Sequence, residues 1–153
     1  MQRIQRADSR NYGENEMILV DTTVIIDIWR GRTNVRKCLE KYTEESFAIS
    51  SITIEEIYDG LGYTKKEKGE ELYKKIRNQY AKIFHNFQII PLSTEILKKT
   101  GLLRGELRRK GEILDLADII IMVTAQEIQA SKIITRNPKH FENSSIPIES
   151  YNV

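Results

Sequence analysis

Short apolar runs of strand length alternate in this chain with longer stretches of helical periodicity. The apolar runs cover residues 17–20, 47–50, 87–91, 132–135 and 146–148. Such an alternation is typical of an α/β domain, in which helical crossovers join parallel strands and pack on the sheet. We therefore predict a single α/β domain with a parallel sheet of about five strands flanked by helices.

Two helical stretches are predicted in each of the first three connections between strands. They cover residues 24–29, 34–45, 54–62, 65–84, 94–110 and 116–130. Gly31 and Gly111 are expected to end the first and fifth helices, because glycine tolerates the conformation that ends a helix. Ser93 is expected to cap the start of the fifth. The last helix is the most apolar and is expected to cross the core.

The composition fits one globular domain with a highly charged surface. The chain has 153 residues, of which 40% are hydrophobic and 30% charged, enough to bury a core of its own. Its longest uninterrupted apolar run, from Ile119 to Val123, is far too short to span a bilayer, so no membrane association is expected. The net charge of +2 permits a nucleic-acid partner without indicating one.

Cysteine and histidine usage restricts the chemistry and the location of the protein. Cys38 is the only cysteine, which excludes an internal disulfide and fits the reducing cytoplasm. Two histidines and one cysteine do not make a zinc site, so any metal must be held by oxygen. Residues 1–16 carry three arginines and three acids without apolar periodicity and are expected to be a disordered leader or an upstream extension.

Three acid-bearing segments stand at predicted element boundaries. Asp21 directly follows the first buried run, where the carboxyl ends of parallel strands gather ligand chemistry. If Glu56 and Asp118 come to the same edge, three negative charges repel one another unless protons or a hard cation bind. A hydrated Mg²⁺ or Mn²⁺ would relieve that repulsion and activate water against a phosphodiester.

Each of these acids also has a purely structural interpretation. Asp21 fits the N-cap of the helix that follows it. Thr53 and Glu56 have the spacing of a capping box, with Thr53 as the N-cap. Asp115 fits an N-cap and Asp118 the first turn of the next helix, which the helix dipole favours. On spacing alone, both interpretations remain open.

Four blocks of the chain resemble PIN-domain proteins, especially the VapC-type toxins. The blocks are residues 17–27 (MILVDTTVIID), 51–61 (SITIEEIYDGL), 113–125 (ILDLADIIIMVTA) and 133–141 (IITRNPKHF). Each block is weak by itself, and the four in this order and spacing are specific. The resemblance identifies residues 17–153 as a PIN-like nuclease domain with a five-stranded parallel sheet.

The resemblance implies a catalytic centre made of Asp21, Glu56 and Asp118. These acids would bind Mg²⁺ or Mn²⁺ and support endoribonuclease activity on RNA. In VapC toxins the family also implies a homodimer and a small antitoxin, VapB, which inhibits the enzyme and in some cases directs an arginine towards the carboxylates.

The last block departs from the usual pattern of the family. Asn137 stands where many PIN domains have Asp, and it is a candidate for a fourth site position. Asp115 is a second candidate, because it precedes Asp118 by three residues and shares its helix face. His140 and Asp27 are expected to be surface, packing or supporting residues.

Three other functions remain open from the sequence. The chain could be a PIN nuclease of RNA processing outside any toxin system, or a PIN-fold RNA-binding module that lost activity, for which Asn137 is the only support. It could also be a phosphotransferase that forms an aspartyl-phosphate, although that class needs an Asp at the position of Thr23.

Two surfaces are expected to bind partners. A basic cluster just before the Asp115–Asp118 block would contact RNA phosphates on either side of the scissile one; its members are Arg104, Arg108, Arg109 and Lys110. Exposed apolar side chains of the early helices, Trp29 and Leu61 among them, would dock the antitoxin or a second copy of the chain.

Overall fold

The fold is a five-stranded parallel sheet, described by a computed structural model for residues 16–153. The expected leader, residues 1–16, lies outside the described residues apart from Glu16. The strands are β1 (Met17–Val20), β2 (Ser46–Ser50), β3 (Gln88–Ile90), β4 (Lys132–Thr135) and β5 (Ile148–Ser150). They lie in the order β3-β2-β1-β4-β5, all parallel. The predicted fold class is confirmed.

Six α-helices connect the strands. They are α1 (Thr22–Trp29), α2 (Thr33–Glu40), α3 (Ser51–Lys68), α4 (Glu70–Phe84), α5 (Thr94–Arg109) and α6 (Leu116–Glu127). A short 3₁₀ helix, Pro138–Phe141, follows β4. No helix in residues 16–153 has both the length and the apolarity needed to cross a membrane.

The sheet separates two hydrophobic clusters, because successive side chains of a strand point to opposite faces. Ile18 and Val20 of β1 pack with α1, α2, α3 and α4. Leu19 packs on the other face with α5 and α6. Eight residues of α6 are buried, so this helix passes through the core as predicted, and each buried Leu or Ile contributes roughly 1.5–3 kcal/mol.

The helical hairpin after β2 differs from the prediction. Helices were expected at 54–62 and 65–84, but α3 runs without interruption from Ser51 to Lys68 and α4 begins at Glu70. The break falls at Gly69, whose φ of 96° is open to glycine at little cost. Gly60 lies inside α3, so a glycine alone did not mark the helix end.

Three further boundaries were wrong by several residues. The helix expected over 34–45 ends at Glu40, and the one expected over 116–130 ends at Glu127. The strand expected at 146–148 is β5, shifted because it pairs with β4 from Ile133 onwards. Strand pairing, which the local sequence does not contain, determined that register.

The apolar docking surface predicted on the early helices is wrong at Leu61. Leu61 is only 3% exposed and belongs to the cluster formed by α1, α3 and α4. Trp29 is partly buried and stacks on Tyr80, with 5.4 Å between ring centroids. Both side chains therefore stabilise the packing of these helices.

Candidate active site

The carboxyl ends of β1 and β4 meet at the point where the strand order reverses. From β1 the chain builds the sheet towards β3 on one side and returns to add β4 and β5 on the other. Helices leave such neighbouring strands on opposite sides, which opens a crevice at their carboxyl ends. Asp21 follows β1 and Thr135 ends β4, so both lie in this crevice.

Three hydrogen bonds hold the Asp21 carboxylate. Oδ1 accepts from the Thr23 hydroxyl at 2.5 Å and from the Val24 amide at 3.3 Å. Oδ2 accepts from the Thr135 hydroxyl at 2.6 Å. Asp21 is the N-cap of α1, so the capping interpretation is confirmed, and the carboxylate is also fixed in the crevice.

Two backbone amides orient the threonines that contact Asp21. The Arg136 amide donates to Thr23 Oγ1 at 3.1 Å, and the Asn137 amide donates to Thr135 Oγ1 at 3.0 Å. Each hydroxyl therefore accepts from the backbone and turns its own proton to Asp21. Asn137 thus supports the site through its backbone, a contribution that does not depend on its side chain.

Glu56 lies in the second turn of α3 and is held by hydroxyls of α1 and α3. Thr22 donates to Glu56 Oε1 at 2.5 Å, and the Thr22 and Thr53 hydroxyls are 3.0 Å apart. The capping-box interpretation of Thr53 and Glu56 is wrong. Ser50 caps α3, where its hydroxyl accepts from the Ile52 amide, and Thr53 is buried within the helix.

The start of α6 brings two more carboxylates to the site. Asp115 is the N-cap of α6, as one interpretation of the sequence proposed, and its side chain accepts from the Ala117 amide at 3.4 Å. Asp118 follows in the first turn, and its Oδ2 is 3.1 Å from Nδ1 of His140. His140 was expected to be a surface or packing residue, and in the structure it contacts a predicted catalytic acid.

The carboxylates are close enough to affect one another's protonation. Burial raises the pKa of Asp21 to about 6, and the charge of Asp118 adds to the rise. Burial also raises the pKa of Glu56, with further contributions from Asp115 and Asp21. Burial raises the pKa of Asp118 too; His140 opposes this rise, and Asp115 and Glu56 add to it. The site therefore concentrates negative charge that water only partly screens.

A comparison with protein families matches the model of the PIN domain to residues 18–144. This chain belongs to the PIN domain family. It is 33% identical over 129 residues to Ribonuclease VapC1 of Methanocaldococcus jannaschii, and the alignment covers 84% of this chain and 82% of that protein. The resemblance seen in the four sequence blocks is thereby confirmed.

Solved structures give the same fold. A toxin–antitoxin complex from Klebsiella pneumoniae is 31% identical with a TM-score of 0.63, covering 89% of this chain and 99% of that one. VapBC2 from Rickettsia felis, bound to a DNA fragment from its promoter, is 23% identical with a TM-score of 0.76. That match covers 89% of this chain and 99% of the other. The second likeness concerns the fold alone.

The donor set of this PIN domain fits a hard cation. Asp21, Glu56 and Asp118 offer only oxygen, and each is made harder to ionise by burial and by the other carboxylates. In residues 16–153, no three acidic, histidine or cysteine side chains stand close enough to enclose one ion. Mg²⁺ commonly keeps several waters and takes one or two carboxylates directly. Binding of a hydrated ion by these three acids therefore stays a prediction.

The metal-free PIN domain should lose stability as the pH rises from about 4 to about 6, because Asp21 has a folded pKa of about 6 against a usual 3.8. In this window the folded state holds a proton that the unfolded state has lost, and the advantage disappears as the pH passes the folded value. The free energy of unfolding should fall by on the order of 3 kcal/mol, measured by urea denaturation at each pH.

The matched variant for this titration is Asp21→Asn. It should show a much smaller fall across the same window, because the side chain no longer ionises. Added Mg²⁺ should restore stability to the wild type at neutral pH, since an ion that binds only the folded state stabilises it. Parallel curves for the variant and the wild type would contradict the assignment of the fall to Asp21.

A buried ion pair between Asp27 and Arg136 lies next to the candidate site of this PIN domain. Asp27 has no exposed surface and accepts from Arg136 Nη1 at 2.9 Å and from the Tyr151 hydroxyl at 2.7 Å. Arg32 Nε lies 3.3 Å from the same carboxylate. The supporting role expected for Asp27 agrees with these contacts, and the surface alternative is wrong. The pair fixes Arg136, whose amide orients Thr23.

Three hydroxyl residues that position the acids, Thr22, Thr23 and Thr135, were not predicted from the sequence. A usable signal was present, since Thr23 and Thr135 both stand beside a predicted strand end and both occur within family-like blocks. The signal identifies neither the acceptor nor the direction of the hydrogen bond.

The predicted basic cluster lies at the same end of α6 as the acids. Lys99 near the start of α5 pairs with Glu127 at the end of α6 at 2.5 Å, so the two helices run antiparallel. The end of α5 therefore lies beside the start of α6, which carries Asp115 and Asp118. All four members of the cluster are exposed: Arg104, Arg108 and Arg109 of α5, and Lys110 directly after it. Contact with RNA phosphates stays a prediction.

Proposed function

We propose that this PIN domain is a Mg²⁺- or Mn²⁺-dependent endoribonuclease that acts as the toxin of a toxin–antitoxin pair. The observation that carries the proposal is the set of hydroxyl-held carboxylates at the switch point, Asp21 and Glu56, next to Asp118. Support also comes from the 33% identity to a protein named Ribonuclease VapC1. RNA as the substrate would locate the activity in the cytoplasm.

The protein's own residues have three tasks in this reaction. Asp21, fixed by Thr23 and Thr135, provides a carboxylate that does not change direction during turnover. Glu56 and Asp118 are half-buried beside Asp21, and whichever of the two does not contact the ion directly would accept the proton of the attacking water. The water oxygen would then bond to phosphorus as the bond from phosphorus to the leaving ribose oxygen breaks, and that oxygen would take up a proton from solvent.

The three acids would hold the metal, with Asp115 or Asn137 as the further position. When bound, a divalent ion would offset the negative charge of the scissile phosphate and lower the pKa of a bound water. The basic cluster at the end of α5 would bind neighbouring phosphates, and its contribution should weaken as salt concentration rises.

The direct test is cleavage of single-stranded RNA by the purified chain. Cleavage should require Mg²⁺ or Mn²⁺, should stop with a chelator and should return when the ion is restored. Single-stranded DNA of the same sequence serves as the control substrate. An intact RNA in the presence of both ions would contradict the nuclease assignment and would favour the inactive RNA-binding module.

The toxin assignment also needs a surface for the antitoxin. With Leu61 buried, the best candidate is an apolar cavity of about 490 Å³ between α1, α2, the start of β2 and the end of α4. Ile28, Val35, Leu39 and Phe47 contribute to its lining. An apolar segment of a small VapB-like protein would fit there, and an arginine of that protein could pair with the carboxylates of the site.

Mass measurement should show a homodimer of the purified chain and a larger complex with the small protein encoded beside it. The complex should cleave RNA more slowly than the chain alone, because the partner would cover the site. Bovine serum albumin at the same concentration controls for unspecific inhibition. A strict monomer that ignores the neighbouring protein would remove the toxin label and leave a nuclease of RNA processing.

A further inference from the structure

Two grooves meet at Glu56, and they differ in charge. The first, of about 330 Å³, is lined by Glu56 together with Glu55, Asp59 and Asp115. The second, of about 270 Å³, also begins at Glu56 but carries no other carboxylate. We call the second the aromatic groove. Residues of α1, α3 and α4 line it together with Arg30, which follows α1; among them are Trp29, Gly60, Thr64 and Tyr80.

The charge difference indicates the direction in which an RNA strand leaves the acids. A phosphate backbone carries one negative charge per nucleotide, so the four carboxylates of the first groove repel it at short range. The aromatic groove has the exposed cation of Arg30 at its rim instead. Of these two grooves, the aromatic groove therefore repels a strand with its scissile phosphate near Glu56 less.

We propose that the aromatic groove binds one unpaired nucleobase of the RNA, next to the phosphate held near Glu56. The proposal rests on the proposed function and names the part of the substrate that this function leaves open. Proteins that read single-stranded RNA splay its bases out and stack them on aromatic or apolar side chains. The cavity is of the size of a single nucleoside and offers such a lining.

The lining is ordered before any base arrives. Trp29 stacks on Tyr80 with an interplanar angle of 18°, and its Nε1 donates to Gln79 Oε1 at 2.8 Å. Ile57 and Ile76 add apolar surface. Tyr80 is buried and Trp29 only partly so. A base entering the groove therefore meets the Trp29 ring, which is already fixed, and this reduces the entropy lost on binding.

Gly60 keeps the groove open on the α3 side. A Cβ at Gly60 would meet no atom within 4 Å, so a larger side chain there projects into free space. The position is interior to α3, where any ordinary residue favours the helix more than glycine does. Gly60→Leu therefore fills the groove without straining the fold.

Gly62 provides the matched control. It lies in the same helix, is exposed, has no atom within 4 Å of a built Cβ and does not line the groove. Gly62→Leu adds the same side chain to the same helix and leaves the groove unchanged.

The first measurement is binding with Mg²⁺ present and with Asp118→Asn added to every chain compared, so that the ion offsets the remaining carboxylates while the RNA stays intact. Trp29 is the only tryptophan of the chain, so its fluorescence reports the groove directly. A short single-stranded RNA of mixed sequence should quench it in the otherwise wild-type chain and in Gly62→Leu, and should bind Gly60→Leu about tenfold more weakly, the scale of one lost base stack. Quenching by the small neighbouring protein and none by RNA would overturn the proposal and assign the groove to that protein.

The second measurement separates the groove from the acids. Gly60→Leu should lower kcat/KM for single-stranded RNA about tenfold, mainly through KM, and should hydrolyse bis(p-nitrophenyl) phosphate, which has no nucleobase, at the wild-type rate. Equal losses on both substrates, or RNA cleavage equal to that of Gly62→Leu, would overturn the base site. RNA-dependent quenching without any cleavage would support the base site while the proposed nuclease function failed.

Discussion

Asp118→Asn should lower RNA cleavage at least about a hundredfold, the scale of losing a major electrostatic contributor to catalysis. The substitution removes one negative charge at nearly constant volume. Asp118 is half-buried, and its carboxylate contacts the ring of His140. Because the new amide oxygen at position 118 can still accept a hydrogen bond from the His140 ring, the fold should survive, as a thermal unfolding curve would show, and the loss should fall on kcat. Single-turnover cleavage of RNA at saturating Mg²⁺ measures it.

Two matched substitutions locate the effect. Glu55→Gln removes an exposed carboxylate next to Glu56 and should change cleavage little. Asp115→Asn tests whether Asp115 serves as the further metal position; a large loss there would give it a catalytic role, and a small one would leave it as the cap of α6. Cleavage by Asp118→Asn at the wild-type rate would remove Asp118 from the centre.

Asp21→Asn should also abolish most cleavage, but the lost charge would be only one cause of that loss. Asp21 accepts from Thr23, Val24 and Thr135 at once. An amide has one oxygen, so its NH₂ group must face a threonine hydroxyl whose own proton already points towards position 21. Part of any loss at Asp21 would therefore come from displaced hydroxyls, which makes Asp118→Asn the cleaner test of charge.

The sequence predicted those parts of the fold that depend on local pattern. The apolar runs of β1 and β4 were placed at the residues where the strands lie, and the α/β alternation gave the parallel sheet. The break at Gly69 was missed because Gly69 lies within the stretch 65–84, which was predicted as one helix, whereas Gly60 and Gly62 lie inside α3 without ending it. Packing of α3 against α1 and α4 keeps those two glycines helical, and packing of this kind overrides local propensity.

The sequence named the acids of the candidate site and not the residues that support them. Asp21, Glu56 and Asp118 were identified by their place at element boundaries and by four family-like blocks. Thr135 contacts Asp21 across 114 positions of the chain, and Arg136 contacts Asp27 across 109. Such contacts follow from the adjacency of β1 and β4, which a single sequence does not specify.

Replacing Arg136 with Met should destabilise the protein by about 3–5 kcal/mol, because it leaves the Asp27 carboxylate buried without its best-placed cation. Asp27 has no exposed surface, and Arg136 approaches Oδ1 to 2.9 Å. Urea denaturation at neutral pH measures the change. Cleavage should also fall in the fraction that remains folded, since the Arg136 amide orients Thr23 towards Asp21.

Arg32→Met provides the control for this pair. Arg32 faces the same Asp27 oxygen at 3.3 Å but is 40% exposed, so water replaces part of its interaction and the cost should stay within about 1 kcal/mol. Combining Arg136→Met with Asp27→Asn should recover stability relative to Arg136→Met alone, because the unpaired charge is gone. Equal costs for Arg136→Met and Arg32→Met would show that the buried pair does not hold the turn after β4, and the positioning of Thr23 would then have to come from the β4 backbone itself.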